Sequence, residues 1–331
     1  MNIVQAQVRE MFDRNPQKHI EAIGRICYKS ENMITEDSHR GFVKRMHNSR
    51  HWAMLEHFRF ILQVPAFVYE PIGEIGSPYI VRTDDGRKMI SGSARGFMDA
   101  LEFVEWDMHH GNYYRFNNSH IVAIMSVIKH IVWHYGCNEL FGCAYSPVEQ
   151  YAMRCVDGFS ELTELENMKH GWHSVLFTCD RGVSHELVRH RPASFAQEST
   201  RYCNYTKGKF GGSIAVIDPI FFDKDEERKN VDGVDGADWA VNKYDVWQNC
   251  MENLEKAYTL LIELGATPQE ARTILPNSLK TDIVLTATNE EWNHIIDLRY
   301  VGSTGKPHPQ MVEVMTLLVN NYDWAADLSQ R

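Results

Sequence analysis

The sequence predicts an α/β (α+β) fold in which long amphipathic helices pack on a mixed set of strands. Two kinds of segment predict it. Apolar residues alternate with polar ones through Phe58, Phe60, Leu62 and Val64 against Arg59 and Gln63, and strand-like patterning returns over Thr281 to Thr288. Around these lie helices with legible starts and stops, and 331 residues suffice for one large domain or two modest ones.

Taken in order, Asn15-Pro16 opens the first helix, a capping side chain followed by proline at the first helical position, with Ile20, Ile23 and Cys27 on its inner face. Thr35, followed by Glu36 and Asp37, starts a second helix that buries Phe42, Val43 and Met46 and ends near His47 to Ser49. The segment His51-Trp52-Ala53-Met54-Leu55-Glu56-His57 then leads into the strand at Phe58. Residues 66–173 read as mostly helical. Ser91-Gly92-Ser93 precedes Phe97, Leu101 and Val104 at helical spacing, and Asn118-Ser119 precedes a helix from Ile121 to Tyr135 closed by Gly136. No internal repeat is visible there. Val175 to Thr178 is a short apolar strand.

Residues 223–237, rich in Asp, Glu, Lys and Gly, read as a solvated loop. Asp238 then caps a long helix with Val246, Cys250, Leu254, Ala257, Leu261 and Leu264 inward and Gly265 as its stop. Thr267-Pro268-Gln269-Glu270 is a capping box for a short helix carrying Ala271, Arg272 and Ile274, broken at Leu275-Pro276. Asn289 caps the helix through Glu290, Glu291 and Trp292 that delivers Asp297-Leu298-Arg299. A last helix, Pro309 to Asn320, packs Met311, Val314, Met315 and Leu318.

Composition narrows the function. Hydrophobic content of 44% and charged content of 24% are ordinary for a globular protein, and no run of about 18 apolar residues exists to span a membrane. Arg9, Glu10, Asp13 and Arg14 stand where a signal peptide needs an apolar core, so a cytoplasmic protein is expected. The seven cysteines, odd in number and without close pairing, fit reduced thiols. A net charge of −10 argues against duplex nucleic acid as partner, so any anion site must be local. His130 and His134 share a helix face ahead of Cys137 and Cys143, which raises a metal hypothesis. The two cysteines miss the usual zinc-ligand spacing, so packing is favoured and no metal is expected.

The local site lies in residues 186–205. Arg189, Arg191 and Arg201 accompany His190 and the hydroxyls of Ser194, Ser199 and Thr200 in this short span. Read as an extended segment, it places Leu187, Arg189 and Arg191 on one face and Val188 and His190 on the other, until Pro192 ends regular pairing. Guanidinium forks and hydroxyl donors suit phosphate and carboxylate oxygens, so a charged nucleotide fits. The alternative is a surface ion-pair cluster with Glu186 and Glu198. Lys207 to Gly212 is a basic turn whose amides can close over a phosphate, but it lacks the phosphate-loop spacing and also reads as a plain loop.

Arg189-His190-Arg191, seven residues, then Ser199 and Arg201-Tyr202 resembles the signature of the flavin-dependent thymidylate synthases. The run from Gly265 to Thr281, which holds Arg272, is similar to that family's second signature, and Asp297-Leu298-Arg299 to its third. His51, Glu56 and His57 match a flavin-contacting segment, whereas Arg50, Ala53 and Met54 depart from it. The resemblance covers residues 10–65 and 174–320. The domain it implies is 1–65 joined to 174–331, with 66–173 as a mostly helical insertion.

The resemblance implies that family's fold, a mixed sheet with long helices, in a homotetramer whose active sites form between subunits. It also implies reductive methylation of dUMP to dTMP with FAD as cofactor, methylenetetrahydrofolate as carbon donor and NADPH as reductant. Carried over by position, Glu186, Arg189, Gln197, Glu198, Ser199, Thr200 and Arg201 line the dUMP pocket and Arg272 reaches it from another subunit. Arg299 is the catalytic group that polarises the uracil ring. His51, Arg189, His190, Arg191, Gln197, Asn289 and His294 are assigned to FAD. Glu186 stands where many members have glutamine, Gln197 where some have glutamate, and Thr288 and Glu290 replace an asparagine and an arginine. No paired histidine and acid are visible to activate Ser199 as a nucleophile, so a binding role is expected. One rival is a catalytically weak flavin- and nucleotide-binding homologue. Another is a single-stranded RNA or nucleotide binder that uses the arginines with Tyr202 and Tyr205 as a platform.

Overall fold

The computed structural model describes residues 1–110, 115–142, 153–208, 211–232 and 238–331. Its helices are α1 (Pro16–Cys27), α2 (Ser38–Asn48), α3 (Ala66–Ile75), α4 (Ala94–His109), α5 (Asn118–Tyr135), α6 (Asn138–Phe141), α7 (Glu164–His170), α8 (Arg181–Leu187), α9 (Lys243–Glu263), α10 (Pro268–Ala271), α11 (Asn289–Ile296), α12 (Pro309–Asn321) and α13 (Asp323–Ser329). Its strands are β1 (Asn2–Val4), β2 (Gln7–Met11), β3 (Arg59–Gln63), β4 (Val81–Asp84), β5 (Lys88–Ser93), β6 (Arg154–Cys155), β7 (Trp172–Asp180), β8 (Ser194–Gln197), β9 (Ala215–Ile217), β10 (Lys229–Asp232), β11 (Asp238–Val241) and β12 (Lys280–Thr288).

Two antiparallel four-stranded sheets carry the fold, in the orders β2-β7-β12-β8 and β6-β3-β5-β4. They repeat one connection. β3 runs into α3, the chain turns into β4, and β5 returns between β3 and β4 before leading into α4. β7 likewise runs into α8, the chain turns into β8, and β12 returns between β7 and β8 before leading into α11. Both closing helices start at a hydroxyl cap, Ser93 accepting from the Gly96 amide and Thr288 from the Glu291 amide. The units differ in one join. A turn through Gly86, at φ +76°, links β4 to β5, whereas residues 198–279 intervene between β8 and β12.

Alternation along β7 divides the interior. Val175 and Phe177 face a core with Ile283, Leu285, Trp292 and the inner sides of α12 and α13. Leu176 faces the other way, toward a core that joins Ile20 and Ile23 of α1 to Phe60, Ile72, Phe97, Ile128 and Val284. Side chains of α3, β5, α4 and α5 therefore share an apolar core with α1 and β12. A third core gathers Tyr244, Trp247, Met251 and Tyr258 of α9 beneath Val216 and Leu279.

Several boundaries differ from expectation. α2 starts at Ser38, whose hydroxyl accepts from the Thr35 amide at 2.9 Å, so Thr35 lies before the helix. Part of the expected loop 223–237 is strand β10, paired with β11, and Asp238 lies in β11. α9 begins after Asn242, which forms a capping box with Asp245. It also turns a different face inward: Trp247, Met251 and Tyr258 are buried, while Val246, Cys250 and Leu264 are exposed. The aromatic rings carry more apolar area than the smaller residues one position away, and they set the rotation. Thr288, one residue before Asn289, caps α11. In residues 66–173 the two foreseen helices are α4 and α5, and β4, β5 and β6 extend the sheet around β3. His134 Nε2 bonds Asp157 at 2.9 Å and the buried Cys137 thiol points at the Ile131 carbonyl, while Cys143 lies outside the described residues.

Phe60 anchors the largest core, fully buried with the rings of Phe58 and Tyr135 at 5.1 and 5.4 Å. Phe60→Ala is expected to cost about 3–5 kcal/mol, read as a lower denaturant midpoint at unchanged slope.

Candidate functional site

Asp180 ends β7 and caps α8, its Oδ1 accepting from the Val183 amide at 2.7 Å. α8 buries Val183, Ser184 and Leu187, a helical repeat that overrides the strand-like look of this stretch. Glu186 therefore sits in the last turn of a helix and Arg189, His190 and Arg191 on the turn that follows, which corrects the extended segment expected from alternation. β8 begins only at Ser194.

Arg299 meets this turn from the other end of the chain. It lies in a π-helical turn, Asp297–Val301, directly after α11. Its Nη1 donates to Glu186 Oε2 at 2.7 Å and its Nε donates to His190 Nε2 at 3.1 Å. A ring that accepts at Nε2 is neutral and carries its proton on Nδ1. Burial, then Arg299 and His294, hold the His190 pKa down at about 4. The His294 ring stands edge-on at 6.1 Å. On the far side of His190, Glu291 Oε1 lies 3.9 Å from Nδ1, buried and without a partner among the described residues. Burial, then Glu290, push the Glu291 pKa up to about 7.

A second cluster sets the loop that follows β8. Glu198 is buried and receives the ammonium groups of Lys29 and Lys280, each at 3.2 Å, with the Tyr205 hydroxyl at 3.4 Å. Both lysines also grip Asp282 on β12. Burial lowers the Lys29 pKa, but Glu198 and Asp282 outweigh it and the net shift is upward. Gln197 donates to Ser184 Oγ at 2.8 Å and Thr281 Oγ1 at 3.3 Å. The Ser199 amide donates to the Cys27 carbonyl at 3.2 Å, and Thr200 is buried. Gln197 to Thr200 are thus fastened to α1, α8 and β12.

The remaining candidates fall into three settings. Arg201 Nε donates to Gln269 Oε1 at 3.0 Å, which joins the first signature to the second. Arg189, Arg191 and Arg272 are exposed, with no side-chain partner among the described residues, and so are free to meet an anion. His51 Nδ1 and the Tyr28 hydroxyl are hydrogen-bonded at 3.2 Å. Asn289 is engaged elsewhere, its amide donating to Asn167 at 3.1 and 3.2 Å, and Glu290 holds Lys169. Lys29, Lys280, Asp282 and Glu291 were not foreseen. Lys280 lies inside the second signature, whereas Lys29 stands at φ 47° with no local pattern to mark it.

Residues 162–321 match the family described as thymidylate synthase complementing protein. A flavin-dependent thymidylate synthase of Geobacter sulfurreducens is 30% identical over 119 residues, 36% of this chain and 43% of that protein. One of Corynebacterium aurimucosum is 33% identical over 120 residues, 36% of this chain and 45% of that protein. Over residues 162–321 this chain is thus similar to the flavin-dependent thymidylate synthases. The chain spans less than half the length of these thymidylate synthase relatives. Among solved structures, a UMP/dUMP methylase PolB from Streptomyces cacaoi aligns over 99% of this chain and 94% of its own, at TM-score 0.39 and 12% identity. Thymidylate Synthase X from Helicobacter pylori, solved with FAD and dUMP, aligns over 48% of this chain and 74% of its own, at TM-score 0.33 and 19% identity.

The Glu291 carboxyl titrates in the folded protein at about 7, above its ordinary 4.5. Its protonated form therefore stabilises the fold fully below about pH 4.5, and that contribution is lost as the pH rises through about 7. Glu291→Gln is expected to flatten the fall in melting temperature across this window. Wild-type and variant profiles that run parallel would contradict the assignment.

Proposed function

We propose that the protein methylates dUMP to dTMP, using methylenetetrahydrofolate as carbon donor and FAD reduced by NADPH as the hydride source. The observation that carries the reading is Arg299 seated on Glu186 and His190, which brings two family signatures into direct contact through residues 109 apart in the chain. FAD, when bound, supplies the redox chemistry; the protein positions the rings and stabilises charge. The residues present fit such a group: His190 offers a neutral Nδ1–H donor, and Arg189 and Arg191 have no competing acid among the described residues.

Arg189, Arg201 and Arg272 supply positive charge for the nucleotide phosphate, with Arg272 reaching it from a second copy in a homotetramer. Arg299 faces the pyrimidine edge and stabilises negative charge as it develops there. Glu186 and His190 hold that guanidinium in place beforehand, so little reorganisation accompanies the reaction. Glu198, held by two lysines, acts as the fixed end of the 197–201 loop. His190 stays neutral at physiological pH and adds a donor to the site without a second cation.

Tritium release from ring-labelled dUMP, with an absorbance spectrum for bound flavin, tests the proposal. Arg299→Ala and Arg201→Ala are each expected to lower turnover on the order of 100-fold or more while circular dichroism stays unchanged. Activity retained in both variants would sink it, and flavin bound without turnover would leave only an inert binder.

A further inference from the structure

A pocket of about 190 Å³ lies where the end of α5 and the segment after β6 meet the starts of β3 and β7. Five aromatic rings line it: Phe12, Phe58, Tyr135, Phe159 and Trp172. The Phe58 centroid is 5.1 Å from Trp172 and 6.0 Å from Tyr135, and both neighbours stand edge-on to it. Phe12 and Phe159 lie 5.9 and 6.3 Å from Trp172. Rings set at such angles enclose a space, whereas rings stacked face to face would fill it. Phe58 and Trp172 are buried, and Phe12 is 56% exposed at the mouth. The volume falls below the roughly 300–1,000 Å³ of sites for drug-sized ligands, so it suits a single ring and not a dinucleotide.

Charge narrows the class of ligand. Arg14 and Arg59 both line the pocket. Arg14 is exposed and has no side-chain partner among the described residues. Arg59 has one long side-chain hydrogen bond, to Ser91 Oγ at 3.5 Å, and its Nε is buried with no partner among the described residues. Burial lowers its pKa to about 10. A buried donor left unmet is costly, and an anion within reach removes that cost. The acid that lines the pocket, Asp157, is already engaged: Oδ1 accepts from the Tyr135 hydroxyl at 2.6 Å and Oδ2 meets His134 Nε2 at 2.9 Å. Aromatic walls with excess positive charge disfavour a quaternary ammonium, which such rings would otherwise hold.

We propose that this pocket binds a small aromatic carboxylate, its ring among Phe12, Phe58 and Trp172 and its carboxylate on Arg14 and Arg59. Guanidinium forks match a carboxylate in two parallel hydrogen bonds. None of these side chains is among those assigned to dUMP or FAD, so the pocket stands apart from the methylation reading. Arg59 also lines the cleft beside Arg191, whereas Arg14 does not, and Arg14 therefore reads the aromatic pocket by itself.

Calorimetric titration of the full chain with benzoate, benzyl alcohol and tetramethylammonium tests the proposal. Benzoate is expected to bind saturably, benzyl alcohol about tenfold more weakly or worse, and tetramethylammonium not at all. Arg14→Gln and Phe12→Ala, both changes at exposed side chains, are each expected to weaken benzoate by about tenfold. Arg191→Gln is expected to leave benzoate affinity unchanged. Absence of saturable benzoate binding, equal binding of benzyl alcohol, a preference for tetramethylammonium, or affinity that survives Arg14→Gln would overturn the proposal. Loss of benzoate binding in Arg191→Gln would place the anion in the other cleft and overturn it as well.

Discussion

The contact of Arg299 with Glu186 and His190 is the constraint on which the site depends. Each partner belongs to a different structural context: the last turn of α8, the turn beyond it, and the π-helical turn after α11. A guanidinium that meets both at once fixes the spacing between α8 and α11, and it fixes the tautomer of the imidazole. The bond also sets polarity, because His190 keeps its lone pair toward Arg299 only while neutral, and burial beside two cationic or ionisable neighbours keeps it so.

The lysine and carboxylate cluster around Glu198 complements this contact from the opposite end of β8. Two ammonium groups and two carboxylates satisfy one another where burial alone would discharge them. The consequence is positional. The loop that presents Ser199 and Arg201 begins at a residue anchored to α1 and β12, and the exposed arginines project from a rigid base. Arg189, Arg191 and Arg272 carry no ion pair among the described residues, while Glu186 is held by Arg299, Glu198 by lysines and Glu290 by Lys169.

Elements with strong local chemistry were legible in the sequence. α1 and α10 begin where Asn15-Pro16 and Thr267-Pro268 place them, α5 ends at Gly136 in the left-handed conformation, and β3 forms on the expected run, although Ile61 is buried between Phe60 and Leu62, so both faces of the strand are covered and not one. Short or context-dependent elements were not. α8 is seven residues long and holds two β-branched or hydroxyl side chains on its buried face, so its pattern is as compatible with a strand. The face of α9 was decided by which aromatic rings the third core accepts, a tertiary choice. The spacing of arginine, histidine and serine residues was visible along the chain, but the partners that hold them, Lys29 and Glu291 among others, come from packing. The repeated connection was hidden because one unit closes through a tight turn and the other through residues 198–279.

That difference in closure has a consequence for cooperativity. Loop-closure entropy grows with the logarithm of length, so joining β8 to β12 across residues 198–279 costs about 3 kcal/mol more than joining β4 to β5 through the Gly86 turn, if the long segment is slack. It is not slack, since β9 pairs with β1 and α9 packs its own core against Leu279, one residue before β12. The aromatic layer under α9 thus acts as a distant tether: loosening Trp247 or Tyr258 lengthens the effective leash on β12, and the central strand of a sheet they barely touch becomes easier to detach.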